Sequence, residues 1–313
     1  MRIKMSQQPV FKSHHPDGFG SFAGLALKES GVPYLLQEAD ILIQGIPYEA
    51  ATSGKKGTSF APHALRAISK DFQVISRRGV DLTKLKICDV GNIPIFPVEG
   101  AQTRDSITSA MQALLNATSS PIISIGGDHS VTFPLVKAFD PSQSLGIIWL
   151  DAHRDLQDVF LGSPFSHGTS LRRISELPNV DPENICLIGT RYMDPLEQVF
   201  IEKTQIQELT APMLEDAPNY RSLVQKTISE IEDRVDHLYI SIDIDVLDPA
   251  FAPGTGTPVA GGLTSAQLLN IVSDLSVPVR AFDIVEVSPP LDPSGITSKV
   301  QMALLTEIFA KYA

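Results

Sequence analysis

The sequence predicts an α/β fold with three layers, α/β/α, around a mostly parallel sheet of about eight strands. Short apolar runs alternate with amphipathic stretches, which is the pattern of strands joined by crossover helices. The runs are rich in Ile, Val and Leu, as expected for strands buried on both faces. Because no repeat or Gly/Ser linker divides the chain, we predict one domain over residues 1–313, with an N-terminal arm over about 1–35.

Eight apolar runs are the predicted strands. In chain order they are Ile41–Ile46, Leu85–Val90, Pro121–Ile125, Gly146–Leu150, Asn184–Gly189, Gln205–Leu209, Leu238–Asp243 and Val279–Val285. Loops of ten or more residues follow two strands, at 157–166 and 250–262. Since ligands of α/β proteins bind beyond the carboxyl ends of the strands, we expect both loops to border a binding site.

Apolar residues three to four apart indicate helices between the strands. The predicted helices are Pro62–Ser76, Arg104–Asn116, Val131–Phe139, Tyr220–Asp233, Ser265–Asp274 and Thr297–Lys311. Thr264 is the predicted N-cap of the fifth helix, and Asp292 or Ser294 that of the sixth.

Composition excludes several functional classes. The 25 Lys and Arg residues against 36 Asp and Glu give a formal net charge of −11, which argues against a nucleic-acid or anionic-membrane surface. Cys88 and Cys186 each lie inside an apolar run, so we expect free thiols in a reducing compartment. With no apparent signal peptide or membrane span, we predict a cytoplasmic protein with no nucleic-acid or membrane partner.

Metal-ligand residue types follow several predicted strands. His129 follows the third strand, Asp151, His153 and Asp155 follow the fourth, Asp243 and Asp245 end the seventh, and Glu286 follows the eighth. Residues two apart in an extended segment point to the same side, so each group can converge. A single Asp-x-Asp or Asp-x-His at a strand end is usually a capping or loop residue. Three such groups beside buried strands, however, require pairing or metal binding.

Four Asp and two His exceed the three protein ligands of a typical catalytic zinc. They suit two divalent first-row cations that share carboxylates. The sequence therefore predicts a binuclear metal centre at the carboxyl edge of the sheet.

At these residues the chain resembles the ureohydrolases, which comprise arginase, agmatinase and guanidino-acid hydrolases, and is most similar to the agmatinase-like branch. The segments that carry the resemblance are Gly126–Ser130, Asp151–Asp155, Ser241–Thr257 and Phe282–Pro289, with Gly45–Ala50 and Gly57–Arg66. The resemblance extends from about residue 40 to the C-terminus. It implies the arginase-like fold and a hydrolase that cleaves a small guanidino compound to urea and an amine.

The resemblance also implies two Mn²⁺ per chain, with Ni²⁺ as an alternative. The expected ligands of one ion are His129 and Asp155, and those of the other are His153 and Asp245. Asp151 and Asp243 are expected to bridge the two ions. Such a pair lowers the pKa of a bridging water and holds the resulting hydroxide beside the guanidino carbon. Asp155 would accept a hydrogen bond from that hydroxide.

Three further residues have roles implied by the resemblance. Glu286 is expected to pair with the guanidinium, as carboxylates do with such forked donors. His167 matches a proton-shuttling histidine, since an imidazole can titrate near neutrality. Thr257 matches a position that lines the substrate. Asp128 and Asp248 are expected to accept hydrogen bonds from turn amides, without a part in catalysis.

The sequence says less about which residues bind the end of the substrate away from the guanidino group. Asp158 in the 157–166 loop is a candidate partner for the amine of agmatine, which is the favoured substrate. Arg191 is a candidate partner for the carboxylate of guanidinobutyrate or guanidinopropionate, and guanidine, methylguanidine and formimino amino acids stay open. Arg154 is expected to point away from the metals, into an ion pair or a subunit contact.

Assembly is predicted only by the resemblance, which implies a homotrimer or homohexamer. A segment at Ser13–Gly24 is expected to be an arm that contacts a neighbouring subunit, and His14, His15 and His237 are expected in loops or at the surface. A non-catalytic subunit is the non-enzyme alternative. We expect such a subunit to have lost a ligand, whereas all of the expected ligands are present here.

Overall fold

A computed structural model describes residues 36–275 and 279–313, in which eight strands form one parallel sheet. The strands are β1 (Ile41–Gly45), β2 (Ile87–Asn92), β3 (Ile122–Ile125), β4 (Leu145–Leu150), β5 (Ile185–Ile188), β6 (Gln207–Leu209), β7 (His237–Asp243) and β8 (Ala281–Val285). The predicted strands and the three-layer fold are confirmed. The single-domain boundary stays a prediction, and the arm with His14 and His15 lies outside the described residues.

The strand order is β2-β1-β3-β8-β7-β4-β5-β6, and every neighbouring pair is parallel. The last two strands therefore enter the middle of the sheet, between β3 and β4. This insertion brings the carboxyl ends of β3, β8, β7 and β4 side by side. The ends of β3, β4 and β7 carry the six predicted ligands, and the end of β8 carries Glu286.

Nine α-helices cover the sheet in the described part of the chain. They are α1 (Ala61–Ile68), α2 (Gly100–Ala117), α3 (Thr132–Val136), α4 (Ser170–Ile174), α5 (Pro195–Thr204), α6 (Ala211–Asp216), α7 (Tyr220–Glu232), α8 (Ser265–Asp274) and α9 (Ile296–Phe309). One core cluster packs α1 and α6–α9 against one face of the sheet, and a second cluster packs α2–α5 against the other. None of these helices is long and apolar enough to cross a membrane.

Two predicted helices end at least three residues earlier than expected. The helix predicted to Ser76 ends at Ile68 with a 3-10 turn at Ser69–Asp71, and the Ser69 hydroxyl donates to the Arg66 carbonyl. Such a local hydrogen bond competes with the helical ladder. The helix predicted to Phe139 ends at Val136, because the N–H groups of Ala138 and Phe139, beyond the C-cap Lys137, bond three residues back instead of four.

Three helices, α4, α5 and α6, lie where none was predicted. Asp194 and Thr210 are N-caps of α5 and α6, and a proline follows each within two residues. These are recognised start signals, so the sequence contained enough information to find both helices. Thr264 caps α8 with a capping box, as predicted, whereas the N-cap of α9 is Gly295. Asp292 nevertheless accepts the N–H of Thr297 in the first turn of α9.

Candidate metal centre and active site

Six predicted ligands meet at the carboxyl edge of the four central strands. They are His129, Asp151, His153, Asp155, Asp243 and Asp245. His153 is partly exposed, and the other five are buried. Parallel strands end at one edge, so residues far apart in sequence come within contact distance there.

The first group surrounds the His129 ring. Its Nδ1 lies 3.0 Å from Asp151 Oδ2, 3.2 Å from Asp155 Oδ2 and 3.2 Å from Asp243 Oδ2. That Nδ1 is fully buried and has no hydrogen-bond partner of suitable geometry among the described residues. A buried nitrogen lone pair facing three carboxylates is the donor set of a divalent first-row cation.

The second group surrounds His153 and shares Asp151 with the first. His153 Nδ1 lies 3.1 Å from Asp245 Oδ2 and 3.4 Å from Asp151 Oδ1. The potential ligand atoms within His129, Asp151 and Asp243, and within Asp151, His153 and Asp245, lie within 4.8 Å of one another. The two oxygens of Asp151 thus face different histidines, which is the geometry of a carboxylate shared by two ions. The residues present therefore fit a binuclear centre.

The accumulated negative charge also shifts the pKa values of the site. Burial, together with the Asp151 charge, raises the pKa of Asp155 to about 6. Burial opposes protonation of His153, but Asp245 and Asp151 outweigh it and raise the pKa to about 12. When no cation is bound, protons are the positive charge near these carboxylates, and the carboxylates and the histidines compete for them. Two divalent cations would relieve the same repulsion.

A buried chain of hydrogen bonds fixes the His129 ring. Asp283 Oδ1 accepts the Ser241 hydroxyl at 2.6 Å, so Ser241 Oγ, 2.8 Å from His129 Nε2, accepts the proton of that nitrogen. Nδ1 is thereby the ring nitrogen that is available to a metal ion. Trp149 stacks on the imidazole with ring centroids 4.0 Å apart and donates to Asp151 Oδ2.

Substitution of Ser241 by alanine is expected to weaken binding of the His129-bound ion by about 10- to 100-fold, because Nε2 loses its acceptor and the tautomer is no longer fixed. Manganese titration of the chelator-stripped protein measures this change. Ser241→Thr, which keeps the hydroxyl, is the matched control. Equal affinity in Ser241→Ala and the wild type would show that the chain does not support the ligand.

Glu286 and His167 lie next to the first group. Glu286 Oε1 accepts the backbone N–H of His129 at 2.9 Å and lies 3.2 Å from His167 Nδ1, whereas the buried Oε2 has no hydrogen-bond partner in the described part of the chain. The Ser53 backbone N–H donates to His167 Nε2 at 3.0 Å. Burial lowers the pKa of His167, but the Glu286 carboxylate outweighs it and raises that pKa to about 9.

A cavity of about 470 Å³ opens from this centre to the surface. Its apolar lining consists of Phe160, Tyr192, Pro258 and Val259, and its polar lining includes Thr257, which donates to Asp245 Oδ2 at 3.2 Å. A larger open groove of about 780 Å³ lies at the opposite, amino-terminal edge of the sheet, far from the ligands. It includes His237, which begins β7 and lies at the surface, one of the two positions predicted for it.

Several predicted residues lie away from the cavity. Asp158 is largely exposed, pairs with Arg173 at 2.5 Å and is not part of the lining. All three guanidinium nitrogens of Arg191 donate to backbone carbonyl oxygens, including that of Asp245. Arg191 is therefore not available as the partner of a substrate carboxylate. Asp128 and Asp248 accept backbone N–H groups in turns, as expected.

Sequence reasoning missed other residues that the structure brings to the site. Asp194 and Glu197, at the start of α5, line the cavity, and Ser53 holds His167. Ser241 and Asp283 lie inside the recognised segments but had no assigned role. For Ser241 a signal existed, because it precedes Asp243 by two residues on the same strand face.

A model of the arginase family matches residues 39–310. The chain belongs to the arginase family. It is 32% identical over 277 residues to guanidinopropionase from Pseudomonas aeruginosa (86% of this chain, 85% of that protein). It is also 34% identical over 266 residues to an agmatinase from Bacillus anthracis (83% and 88%). The structure of agmatine ureohydrolase from Thermoplasma volcanium superposes with a TM-score of 0.80 at 26% identity, covering 89% of this chain and 92% of that one.

This arginase-family member is a ureohydrolase, an enzyme that hydrolyses C–N bonds of linear amidines. The resemblance to the agmatinase-like branch is confirmed, since agmatinases and guanidino-acid hydrolases are among its relatives. The family depends on a binuclear metal centre, and this chain has candidate ligands for one.

Proposed function

We propose that this ureohydrolase converts agmatine to urea and a diamine. The observation that carries the choice of substrate is the charge of the cavity. Besides the expected metal ligands, its lining contains the acids Asp194 and Glu197, and no Lys or Arg among the described residues. Agmatine is cationic at both ends, whereas the carboxylate of a guanidino acid would enter an acidic cavity without a partner.

Asp194 is the proposed partner of the agmatine ammonium group. It is half-buried and lines the cavity at the N-terminal end of α5. Glu197 lies one turn further along α5, but its Oε1 accepts the Leu156 N–H, and burial raises its pKa to about 7. The apolar wall of Phe160 and Tyr192 suits the methylene chain between the two charged ends.

We further propose two Mn²⁺ per chain, because ligands dominated by carboxylate oxygen suit manganese. His129 and Asp155 would hold one ion, and His153 and Asp245 the other. Asp151 and Asp243 would bridge them. Direct support for bridging is strongest for Asp151, whose oxygens face both histidines. When bound, the ions supply a water of lowered pKa as the nucleophile.

The protein residues orient the substrate and move the proton. The free Oε2 of Glu286 accepts from the guanidinium and holds its carbon toward the ligand cluster. Asp155 directs the attacking water by accepting its hydrogen bond. As the bond from the guanidino carbon to the alkyl nitrogen breaks, His167 donates a proton to that nitrogen and urea is left.

Urea release from a substrate panel tests this proposal. The panel contains agmatine, guanidinobutyrate, guanidinopropionate, arginine and guanidine, each with manganese-loaded and nickel-loaded enzyme. We expect kcat/KM for agmatine to exceed the others by at least about tenfold. A higher kcat/KM for a guanidino acid would contradict the inference that the acidic cavity selects agmatine. If the enzyme binds two ions but releases no urea from any of these compounds, a formimino compound or methylguanidine would replace agmatine as the proposed substrate.

Asp194→Asn is expected to raise KM for agmatine by about tenfold, since the ammonium loses its charged partner. Guanidinobutyrate turnover is expected to be unchanged or improved. Asparagine is also a good N-cap, so α5 is preserved. Asp158→Asn is the matched control, and we expect wild-type kinetics from it. A rise in KM from Asp158→Asn alone would assign the ammonium to the 157–166 loop instead.

The location and assembly of the enzyme also belong to this proposal. We place it in the cytoplasm as a homotrimer or homohexamer. Cys88 and Cys186 are buried and form no disulfide in the described part of the chain, which supports a reducing compartment.

A further inference from the structure

Arg154 stands between the metal-ligand candidates His153 and Asp155 but faces away from them, as the sequence predicts. Its side chain is only 1% exposed. Its Nε and Nη2 donate to the two oxygens of Glu208 on β6 at 2.7 and 2.8 Å, and Nη2 also donates to Gln198 Oε1 at 2.8 Å. Arg154 thus forms an ion pair within the chain, and its burial there gives no support to the subunit contact considered from the sequence.

The partners of Arg154 are themselves fixed. Thr190, directly after β5, donates its hydroxyl to Glu208 Oε1 at 2.7 Å. Gln198 lies on α5, next to Glu197, whose Oε1 accepts the Leu156 N–H at 2.9 Å. Two neighbouring residues of α5 therefore hold the chain on both sides of Asp155. Gln198 accepts from Arg154, and Glu197 accepts the Leu156 N–H.

Asp155 has a backbone conformation that needs such support. Its φ is +52°, in the left-handed region, which residues other than glycine adopt at a cost in free energy. Its carbonyl accepts the Arg172 N–H at 3.0 Å. This conformation turns the Asp155 carboxylate toward His129 Nδ1 while the Arg154 side chain enters the opposite side of the segment. A strained residue persists only when its surroundings determine it fully.

We propose that Arg154 is a positioning residue that, with Glu208 and Gln198, clamps the chain before Asp155 and holds the Asp155 carboxylate at the site of the His129-bound ion. The inference rests on the proposed binuclear centre. Because a guanidinium binds both oxygens of one carboxylate in a fixed plane, the clamp fixes orientation as well as position.

The test removes the clamp without leaving a buried charge. In Arg154→Met/Glu208→Gln, the glutamine still accepts from Thr190, and replacing both charged partners avoids the penalty of stranding one. The matched control is Arg66→Met/Asp89→Asn. The Arg66–Asp89 pair is equally buried and has the same two-bond geometry, but it joins α1 to β2 away from the ligands.

Calorimetric titration of Mn²⁺ into chelator-stripped protein measures the two binding steps, and electron paramagnetic resonance separates coupled ion pairs from single ions. In the clamp variant we expect one binding step to weaken by about tenfold or more while the other stays within about twofold. We also expect the coupled-pair signal to be lost at equimolar metal. The Arg66 control is expected to keep both steps, whatever its melting temperature.

Two wild-type binding steps in a folded clamp variant would overturn the inference and leave Arg154 with a role in stability only. If the double variant does not fold, Gln198→Ala keeps the ion pair and removes one clamp bond. It is expected to weaken the same step by about threefold, and unchanged binding would again overturn the inference. A wild-type protein that binds no pair of ions would instead refute the proposed binuclear centre.

Discussion

Replacing Asp151 by asparagine is expected to remove both metal ions and to lower turnover by a factor on the order of 1,000 or more. Asp151 Oδ2 faces His129 and accepts from Trp149, while Oδ1 faces His153 and accepts the His153 N–H. An amide nitrogen in either place turns an acceptor into a donor. One substitution therefore damages both groups of ligands.

Metal analysis and thermal unfolding test this prediction without relying on activity. Manganese should raise the melting temperature of the wild type, because an ion that binds only the folded state stabilises it, by about 2.7 kcal/mol at 100 times its Kd. We expect no such rise for Asp151→Asn, and a normal rise for the control Asp158→Asn. Two bound ions in Asp151→Asn would refute the shared role of Asp151.

Glu286→Gln is expected to retain both ions and to lose about 100- to 1,000-fold in kcat. The glutamine carbonyl can still accept from His129 N–H and His167, so the local structure is kept. Its amide, however, replaces the unpartnered Oε2 and presents N–H donors to a guanidinium that is itself only a donor.

The control for Glu286→Gln is metal stoichiometry, which should equal that of the wild type. Glutamine has the same shape as glutamate, so we expect little loss of stability and no loss of fold, even though residue 286 is in the left-handed region, with φ of +60°. Loss of metal together with activity would show that Glu286 acts in metal binding. Unchanged kcat would remove it from substrate orientation.

The contrast between Asp158 and Asp194 shows where sequence reasoning reached its limit. Both acids lie near the expected site in the chain, and only Asp158 was in the loop predicted to border it. In the fold, Asp158 pairs with Arg173 at the surface, while Asp194 caps a helix that no periodicity had indicated. Pairing across the structure, not position in the sequence, decides which acid faces the cavity.

For Arg154, the sequence predicted the direction of the side chain but not its partner. Strand alternation predicts that its side chain leaves the metal face, and the structure agrees. The partner could not be predicted, because Glu208 is more than fifty residues away and meets Arg154 only through the packing of β6 and α5 beside the ligand segment.

The sequence by itself determined the parallel α/β sheet and the clustering of its six ligand candidates. Both follow from local rules: apolar runs form buried strands, and parallel strands end at one edge. Only the tertiary structure decided which residues hold the ligands in place, such as Ser241 and Asp283 behind His129. It also decided that the cavity is acidic. Those contacts join residues distant in the chain, so they depend on how the sheet and helices pack.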